Sequence, residues 1–370
     1  MPIRIAYVQS HLSYGAVEVY LQSLIDHLDR ERFEPWLVCS EHPELEPLQR
    51  TSALEGRVLV VPGGVSLPSF LRTRVRALRS LGPALVHCAD FDAPGMLAAG
   101  LGARSAPLVV TYNTPELRPD YNALGRLTFR AAWATRPWVV FTSEADRETA
   151  IRLDPVARSR TDVIPYGLDL ERFAPQGDAA AARVALGIAP GMRVVGTVAR
   201  LAEQKGQTYL LQAAEKLASR RDDVEFVIAG DGEVRSQLEE EARRRGLDDR
   251  VHFLGHRDDV PEVLRAFDVF ALPSNFEGMC FAVAEALAVE VPVVATDVGG
   301  VAQSVVHGET GLLVQPRDPD ALAESIARLL DDRGEAARFG RAGRKRVERL
   351  YGLSEMAAAT ERLYLRALGA

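Results

Sequence analysis

Cysteine, lysine and long apolar runs are scarce in this chain of 370 residues. Its three cysteines (Cys39, Cys88 and Cys280) lie far apart and form no C-x-x-C, which favours a reducing compartment over a disulfide framework. No window approaches ~20 uninterrupted apolar residues, so we expect no membrane span. The opening MPIRIAYVQS lacks the regions of a signal peptide, and we expect a cytoplasmic protein.

The charge balance excludes further classes. Acidic residues outnumber basic ones, 51 to 44, giving a formal net charge of −7, which argues against a dedicated nucleic-acid binder. A hydrophobic fraction of 47% and a charged fraction of 26% are ordinary for a globular protein and exclude a fibrous or wholly disordered chain. Of the basic residues only Lys205, Lys216 and Lys345 are lysines.

Short β-branched runs alternate with helical patterns along the chain, and the alternation restarts near Arg193. Two such sets predict an α/β fold with two doubly wound, Rossmann-like domains. We place them at 1–174 and 175–352, followed by a last helix in 353–370. Ligands of such sheets bind beyond the carboxyl ends of the strands, so we expect the two domains to face each other across a cleft that holds the active site.

The segment Ser274–Ala288 is the richest in candidate chemistry. Glu277 and Gly278 follow a predicted strand, and a helix beginning near Met279 would offer unpaired amides to a phosphate. Glu285 is the only charge in an otherwise apolar helix, which suits either an internal salt bridge or a ligand hydroxyl. Glu277 lies eight residues earlier, roughly 12 Å away at helical rise. This spacing suits two carboxylates at opposite ends of a diphosphate, one on each sugar, and favours the ligand interpretation.

A second segment, Val194–Gln207, has the same strand–loop–helix layout. Its loop carries Arg200 and Lys205, which together can hold a diphosphate and stabilise it as a leaving group. The alternative is that both are solvated surface charges. For Arg200 a solvated surface charge is the natural expectation, because arginine is frequent in this chain. For Lys205 it is less so, because the chain has only three lysines.

Two stretches, GTVARLAEQKG (Gly196–Gly206) and EGMCFAVAE (Glu277–Glu285), together resemble the retaining glycosyltransferases of family 4. The second stretch matches that family's E-x7-E motif. The resemblance implies a GT-B fold and a metal-independent, hexosyltransferase-like reaction without a cofactor. It implies a nucleotide-diphosphate sugar as donor, UDP-sugar ahead of GDP-sugar. The acceptor hydroxyl would belong to a carbohydrate, a lipid-linked molecule or a small molecule.

The resemblance also implies roles. Arg200 and Lys205 would bind the diphosphate, Glu277 the transferred sugar and Glu285 the ribose, with Glu277, Arg200 and Lys205 as the catalytic set. The domain 1–174 would bind the acceptor and 175–352 the donor, and the last helix would cross back to the first domain. The other donor-side positions are Gly15, Gly230, His256, Arg257, Gly278, Met279, Cys280 and Phe281.

The first domain departs from the family pattern at Asn113, where the family often has a histidine. Asparagine can donate and accept hydrogen bonds but cannot titrate, so an acid/base role there is not expected. The acceptor-side candidates are His11, His87 and Asn113. The D-x-D at Asp90–Asp92 is interpreted as a polar loop.

Residues 70–79 form a basic amphipathic pattern, with Leu71, Val75 and Leu78 on one face and arginines on its flanks. Such a helix is a candidate for peripheral contact with the inner face of a membrane or with a lipid-linked acceptor, although a solvated face is favoured.

Other functions fit less well. An NAD-dependent oxidoreductase would need a G-x-G-x-x-G after a first strand, and neither candidate strand supplies it. A non-catalytic sugar-nucleotide binding protein, or another nucleotide-sugar enzyme such as an epimerase, is the alternative to a transferase.

Overall fold

The computed structural model describes residues 1–9, 16–42, 46–50, 52–62, 66–89, 92–112, 123–153 and 160–369. The chain divides into two units. Unit 1 consists of Met1–Gly167 and Leu353–Ala370, and unit 2 of Leu168–Gly352. Residues 168–174, placed in the first domain by the sequence, lie in unit 2 because Leu168 N donates to Tyr351 O (2.7 Å) and Arg344 Nη1 donates to Phe173 O (2.8 Å).

Unit 1 is built on a seven-stranded sheet. The strands are β1 (Ile3–Val8), β2 (Phe33–Ser40), β3 (Val58–Val61), β4 (Leu85–Cys88), β5 (Leu108–Tyr112), β6 (Trp138–Phe141) and β7 (Thr161–Val163). They are all parallel, in the order β3-β2-β1-β4-β5-β6-β7. Strands β4 and β5 are buried along their whole length, as expected of a parallel sheet covered on both faces.

Helices connect these strands. They are α1 (Ala16–His27), α2 (Glu46–Gln49), α3 (Leu67–Leu81), α4 (Ala93–Ala103), α5 (Ala123–Trp133) and α6 (Glu144–Leu153), with a 3-10 turn at Ser52–Leu54. Helix α3 begins with Pro68 in its first turn and ends at Gly82, which has the left-handed conformation (φ 58°) that favours glycine. The predicted strand–helix alternation is confirmed throughout this unit.

Unit 2 repeats the plan with six parallel strands. They are β8 (Arg193–Val198), β9 (Val224–Ala229), β10 (Val251–Gly255), β11 (Val269–Leu272), β12 (Val293–Thr296) and β13 (Gly311–Val314). The order is β10-β9-β8-β11-β12-β13, so β8 and β11 are neighbours at the point where the strand order reverses. The helices are α7 (Ala179–Ala185), α8 (Gln207–Ala218), α9 (Arg235–Arg244), α10 (Val260–Arg265), α11 (Phe281–Ala288), α12 (Val301–Ser304), α13 (Pro319–Asp331) and α14 (Arg333–Leu350).

Strand β13 is not among the strands that the sequence pattern predicts. It is four residues long and starts at a glycine, so it carries little strand signal. The structure explains that glycine: a Cβ at Gly311 would lie 2.6 Å from the Val293 carbonyl oxygen of the neighbouring strand. Close backbone packing thus requires a glycine at position 311, and this glycine weakens the strand signal in the sequence.

The last helix, α15 (Leu353–Leu368), belongs to unit 1. Its buried Tyr364 hydroxyl lies 3.0 Å from the Tyr7 hydroxyl and 2.6 Å from His87 Nδ1, so a polar cluster inside the core attaches the helix to β1 and β4. Among the residues that the structure describes, no helix is long and apolar enough to cross a membrane.

Candidate functional site

The candidate site lies at the carboxyl ends of β8 and β11, the two strands at the switch point of unit 2. The loop after β8 leads through a 3-10 turn, Glu203–Lys205, to helix α8. The loop after β11 leads to α11. The topology therefore brings both candidate segments to one edge of one sheet, as the sequence predicts.

The two loops pack directly on each other. Gly206 has φ 63°, and a Cβ there would lie 2.2 Å from the Pro273 carbonyl oxygen. Asn275 N donates to Gln204 O (2.8 Å), and Asn275 Nδ2 donates to Glu203 O (2.7 Å). These backbone contacts fix the distance between the loops, and with it the side chains that they carry.

An ion pair joins the loops at their centre. Lys205 Nζ donates to both carboxylate oxygens of Glu277, at 2.7 and 2.9 Å. Ser274 Oγ donates to Glu277 Oε1 at 2.6 Å, and only 3% of Glu277 is exposed. Burial lowers the pKa of Lys205, but attraction to the Glu277 carboxylate outweighs it, so the pKa is raised and the ammonium stays charged.

The pair leaves hydrogen-bonding capacity unused. The ammonium has three N–H donors and Glu277 takes two of them, so one can reach a further oxygen. Glu277 Oε2 accepts only from Lys205 among the described residues and can accept from a hydroxyl. The arrangement thus presents a fixed cation and a fixed acceptor side by side.

A glycine supports the backbone of Glu277 from behind. Gly299 has φ 51°, and a Cβ at this position would lie 1.6 Å from the Glu277 carbonyl oxygen. The next residue, Gly300, donates its N–H to Gly278 O at 3.1 Å. The loop after β12 is therefore packed so tightly against the Glu277–Gly278 segment that only glycine fits.

Helix α11 begins at Phe281, two residues later than the sequence predicts, so Glu277 lies in the loop and a helical rise does not apply to its spacing from Glu285. The residue before the helix, Cys280, makes no side-chain cap hydrogen bond. Burial raises the pKa of its thiol to about 12, and the thiol is neutral. Met279 and Cys280 are buried, and Phe281 is half-buried.

Glu285, on α11, is half-buried. Its carboxylate makes no hydrogen bond or ion pair within residues 168–352, all of which the structure describes. Burial raises the pKa of Glu285 to about 7, and attraction to Arg172 opposes this only in part. The sequence left two interpretations of Glu285 open, an internal salt bridge or a ligand hydroxyl. The internal salt bridge is therefore absent from unit 2.

The other donor-side candidates differ in exposure and in their contacts. Arg200 is exposed, and its guanidinium makes no hydrogen bond or ion pair with the described residues. Gly230 has φ 134°, and a Cβ there would lie 2.0 Å from Ala199 O in the loop before Arg200. At the end of β10, His256 is exposed, whereas Arg257 is held by Asp259 through bonds of 2.7 and 2.5 Å.

The sequence analysis missed two residues of this site. Ser274 stands three residues before Glu277 and donates to its carboxylate within a loop, where the spacing gives no signal of the bond. Arg172, the charge that acts on Glu285, lies 113 positions earlier and gave no signal.

The acceptor-side candidates of unit 1 are only partly described. His11, Gly15 and Asn113 lie outside the described residues. His87 is a candidate for an acceptor contact on its sequence position, with a structural role as the equal alternative for a histidine at the end of a strand. The structure favours the structural role, because His87 has no exposed surface and its nitrogens bond Tyr364 (2.6 Å) and the Thr111 hydroxyl (2.8 Å). Burial lowers its pKa to about 3, so this histidine is a neutral part of the core.

Two further interpretations can be examined in unit 1. Asp92 Oδ2 accepts from Gly95 N (2.7 Å) and caps α4, as a polar loop residue would. Of the arginines in 70–79, Arg74 is turned inward: it is 1% exposed and donates to the Ser40 hydroxyl at 2.6 Å. Arg74 therefore adds nothing to a basic surface there, which is left to Arg72, Arg76 and Arg79.

Known families match both halves of the chain. Residues 178–346 match the model described as glycosyl transferases group 1, and residues 16–172 match the model described as Glycosyltransferase Family 4. The lipopolysaccharide core biosynthesis mannosyltransferase LpsB of Rhizobium meliloti is 30% identical over 303 residues, 73% of this chain and 86% of that protein. An Escherichia coli UDP-Gal:alpha-D-GlcNAc-diphosphoundecaprenol alpha-1,3-galactosyltransferase is 29% identical over 90% of this chain and 89% of its own.

Solved structures share the fold. HepE of Anabaena, crystallised with UDP, aligns with a TM-score of 0.84 at 23% identity, covering 97% of this chain and 99% of that one. Sucrose-phosphate synthase of Thermosynechococcus elongatus aligns with a TM-score of 0.83 at 22% identity over 99% of each chain. The expected fold class, GT-B with two Rossmann-like α/β domains, is confirmed.

Proposed function

We propose a specific reaction for this chain, which belongs to the family 4-like glycosyltransferases of group 1 and is an enzyme that transfers sugars from nucleotide sugars. The reaction is transfer from a UDP-sugar to an acceptor hydroxyl with retention of anomeric configuration and without a bound metal. Unit 2 would bind the donor and unit 1 the acceptor, which would be a carbohydrate, a lipid-linked molecule or a small molecule.

The observation that carries the proposal is the set of charges at the switch point of unit 2. A cation fixed by a buried carboxylate (Lys205 on Glu277) lies on the same sheet edge as an exposed cation, Arg200. Such a pair of cations can neutralise a diphosphate as it leaves, which supports a reaction that needs no divalent metal.

Each residue then has a distinct part. The remaining N–H of Lys205 and the Arg200 guanidinium would bind the diphosphate, with the amides of Gly278–Phe281 at its other side. Glu277 Oε2 would accept a hydrogen bond from a hydroxyl of the transferred sugar.

Glu285 would receive the two ribose hydroxyls, because it is a carboxylate with no partner inside unit 2. The loop at His256 would contact the base. Arg257, already held by Asp259, is the weaker of those two candidates. Gly15 as a donor-side residue, and His11 and Asn113 as acceptor-side residues, lie outside the described residues and stay predictions.

Retention would follow from attack on the face that the diphosphate leaves. The acceptor oxygen bonds to the anomeric carbon as the carbon–oxygen bond to the diphosphate breaks, and the acceptor proton passes to a departing phosphate oxygen. The two cations act by holding charge on that oxygen, and no protein nucleophile is needed.

A donor panel tests the proposal. UDP-, GDP-, ADP- and dTDP-sugars are compared by thermal shift and by release of nucleoside diphosphate, with EDTA present throughout, and the anomeric configuration of the product is read by NMR. UDP-sugars should stabilise the protein most and be turned over in EDTA with retention. Stabilisation without turnover would favour a binding protein, and a changed sugar with no diphosphate released would favour an epimerase. An inverted product would refute retention.

The UDP preference has support from relatives. The galactosyltransferase described above is named for a UDP-sugar, and HepE has been crystallised with UDP-glucose. A GDP-sugar that outperforms every UDP-sugar in the panel would overturn this part of the proposal and leave the rest intact.

A further inference from the structure

Two adjoining cavities open in unit 1 at the edge opposite the carboxyl ends of its strands. Residues 104–107, which precede β5, and Ala367–Leu368 at the end of α15 line both cavities. Their volumes are about 460 and 630 Å³, within the range of small-molecule sites. Nothing in the proposed transfer reaction uses this edge.

The charged residues of the lining are all arginines. We define the arginine groove by the five that line the two cavities: Arg79, Arg104, Arg136, Arg160 and Arg366. No aspartate or glutamate among the described residues lines either cavity. In a chain with more acidic than basic residues, this is a local reversal of the charge balance.

Part of this positive charge has local partners. Arg366 bonds Asp162 at 2.5 Å, and Arg160 and Arg366 lie over the Trp138 ring at 5.6 and 5.8 Å. Arg79 donates to the Leu101 carbonyl at 3.3 Å. Helices α3, α4, α5 and α15 also end at this edge, each with roughly half a negative charge. Arg104 and Arg136, however, make no side-chain hydrogen bond or ion pair with the described residues.

The backbone at these two arginines is unusual. Arg104 ends α4 with φ 55°, and Arg136 follows α5 with φ 55°. A positive φ is uncommon for a non-glycine residue, and the neighbouring helix α3 ends on a glycine, Gly82, at φ 58°. Of the three arginines with positive φ among the described residues, Arg104 and Arg136 line the groove, and the third, Arg317 (φ 62°), lies in unit 2, where it donates to Asn275 Oδ1 at 3.1 Å.

We propose that the arginine groove binds a soluble oligophosphate, a small anion with two or more phosphate groups. The guanidinium fork matches phosphate oxygens in pairs, and several arginines around a concavity can engage more than one phosphate at once. A concave site of this volume favours a small molecule over a flat membrane surface. The inference does not rest on the proposed reaction.

Titration calorimetry with inorganic tripolyphosphate, in EDTA, tests the groove. Because Arg200 and Lys205 would also bind phosphates, the background is Arg200→Ala/Lys205→Met/Glu277→Gln, which strands no buried charge and should still bind one tripolyphosphate. Adding Arg104→Gly/Arg136→Gly should weaken that binding at least about tenfold, the loss expected for two charge-assisted bonds. Glycine suits a positive φ, so melting temperature should not fall.

A matched control removes two charges elsewhere in unit 1. Arg72→Gln/Arg76→Gln changes two exposed arginines of α3 that do not line the groove, and it should leave tripolyphosphate binding unchanged. If the glycine variant fails to fold, Arg104→Gln/Arg136→Gln repeats the test with the side-chain bulk kept.

Two results would overturn the proposal. One is unchanged tripolyphosphate binding in the folded groove variant. The other is a wild-type protein that ignores tripolyphosphate but sediments with vesicles containing phosphatidylglycerol and not with phosphatidylcholine alone. That second result would mean that anionic membranes bind this protein and that soluble oligophosphates do not.

Discussion

Units 1 and 2 share one topology but treat the helix after the fourth strand in opposite ways. In unit 1, α4 is capped by Asp92, whose carboxylate accepts from Gly95 N at 2.7 Å. In unit 2, α11 follows Cys280, which makes no side-chain cap and whose thiol is neutral, its pKa raised to about 12 by burial. One helix start is capped by a carboxylate of the chain, and the other has no side-chain cap.

The same contrast holds for the polar groups around each sheet. At β1 and β4, unit 1 pairs its polar side chains with one another: Gln9 with Glu18, and His87 with Tyr364. Unit 2 fixes Lys205 on Glu277 but leaves Arg200 and Glu285 without side-chain partners among the described residues. The shared fold therefore supplies the position of the site, and the loops of one unit supply its chemistry.

Breaking the ion pair should have the largest effect. Lys205→Met leaves Glu277 buried without its cation, so we expect a loss of about 2 to 4 kcal/mol in the free energy of unfolding. Turnover should fall at least about a hundredfold, because the diphosphate loses a fixed charge. Urea unfolding and steady-state kinetics measure the two effects.

Two variants separate folding from function here. The double variant Lys205→Met/Glu277→Gln leaves no buried charge unpaired, so it should recover most of the stability but none of the turnover. If turnover also recovered, the ion pair would have a purely structural role. Lys216→Met is the control, because Lys216 pairs with Asp320 (2.8 Å) at the surface, where such pairs contribute about 0 to 1 kcal/mol.

The sequence predicts where the residues of the candidate site lie in the fold better than it predicts which of them contact each other. Lys205 and Glu277 could be placed on one edge because parallel strands end at the same edge of a sheet. That they pair with each other could not be predicted, because it depends on the packing of Gly206 against Pro273. His87 shows the same limit, since its partner Tyr364 is 277 positions away and no local pattern marks it as buried.

Arg74 and α11 show where periodicity fails. The helix over 70–79 was predicted, but Arg74 on it turns inward and donates to Ser40, a residue of strand β2. The start of α11 was predicted two residues early, because a cysteine is not a residue that marks a helix start.

A substitution behind the site should have the next largest effect. Gly299→Ala adds a methyl group at φ 51° against the Glu277 carbonyl, and we expect a loss of about 2 to 3 kcal/mol together with weaker donor binding. Gly308→Ala is the matched control: Gly308 has φ 80° but nothing within 4 Å of a Cβ, so it should cost about 1 kcal/mol and leave donor binding unchanged. Equal effects of the two would show that backbone strain alone, and not support of Glu277, explains the glycine.

Glu285→Gln should trade stability against donor binding. The folded pKa of about 7 lies above the ordinary 4.5, so the wild type loses stability as pH rises from about 4.5 through 7 and the buried carboxyl ionises. The variant should therefore be more stable by roughly 2 kcal/mol at pH 8 and nearly equal at pH 4.5. Donor affinity at pH 8 should fall about tenfold, because the amide is a weaker acceptor for ribose hydroxyls.

The control for this pH dependence is Glu309→Gln, an exposed position in unit 2 that should show neither effect. Chemical unfolding at the two pH values and calorimetry with the donor measure both. A Glu285→Gln variant that loses stability at pH 8 would mean that the carboxylate has a stabilising partner after all.

The smallest expected effect tests the capped helix of unit 1. Asp92→Ala removes the cap of α4 and should lower the free energy of unfolding by about 1 kcal/mol, whereas Asp92→Asn keeps a capping oxygen and should cost much less. Both variants should bind the UDP-sugar as the wild type does, because this helix start is already filled by the chain's own carboxylate. Turnover abolished by Asp92→Asn with stability unchanged would contradict that: the charge at Asp90–Asp92 would then act on a ligand, and the contrast between the two helix starts would fail.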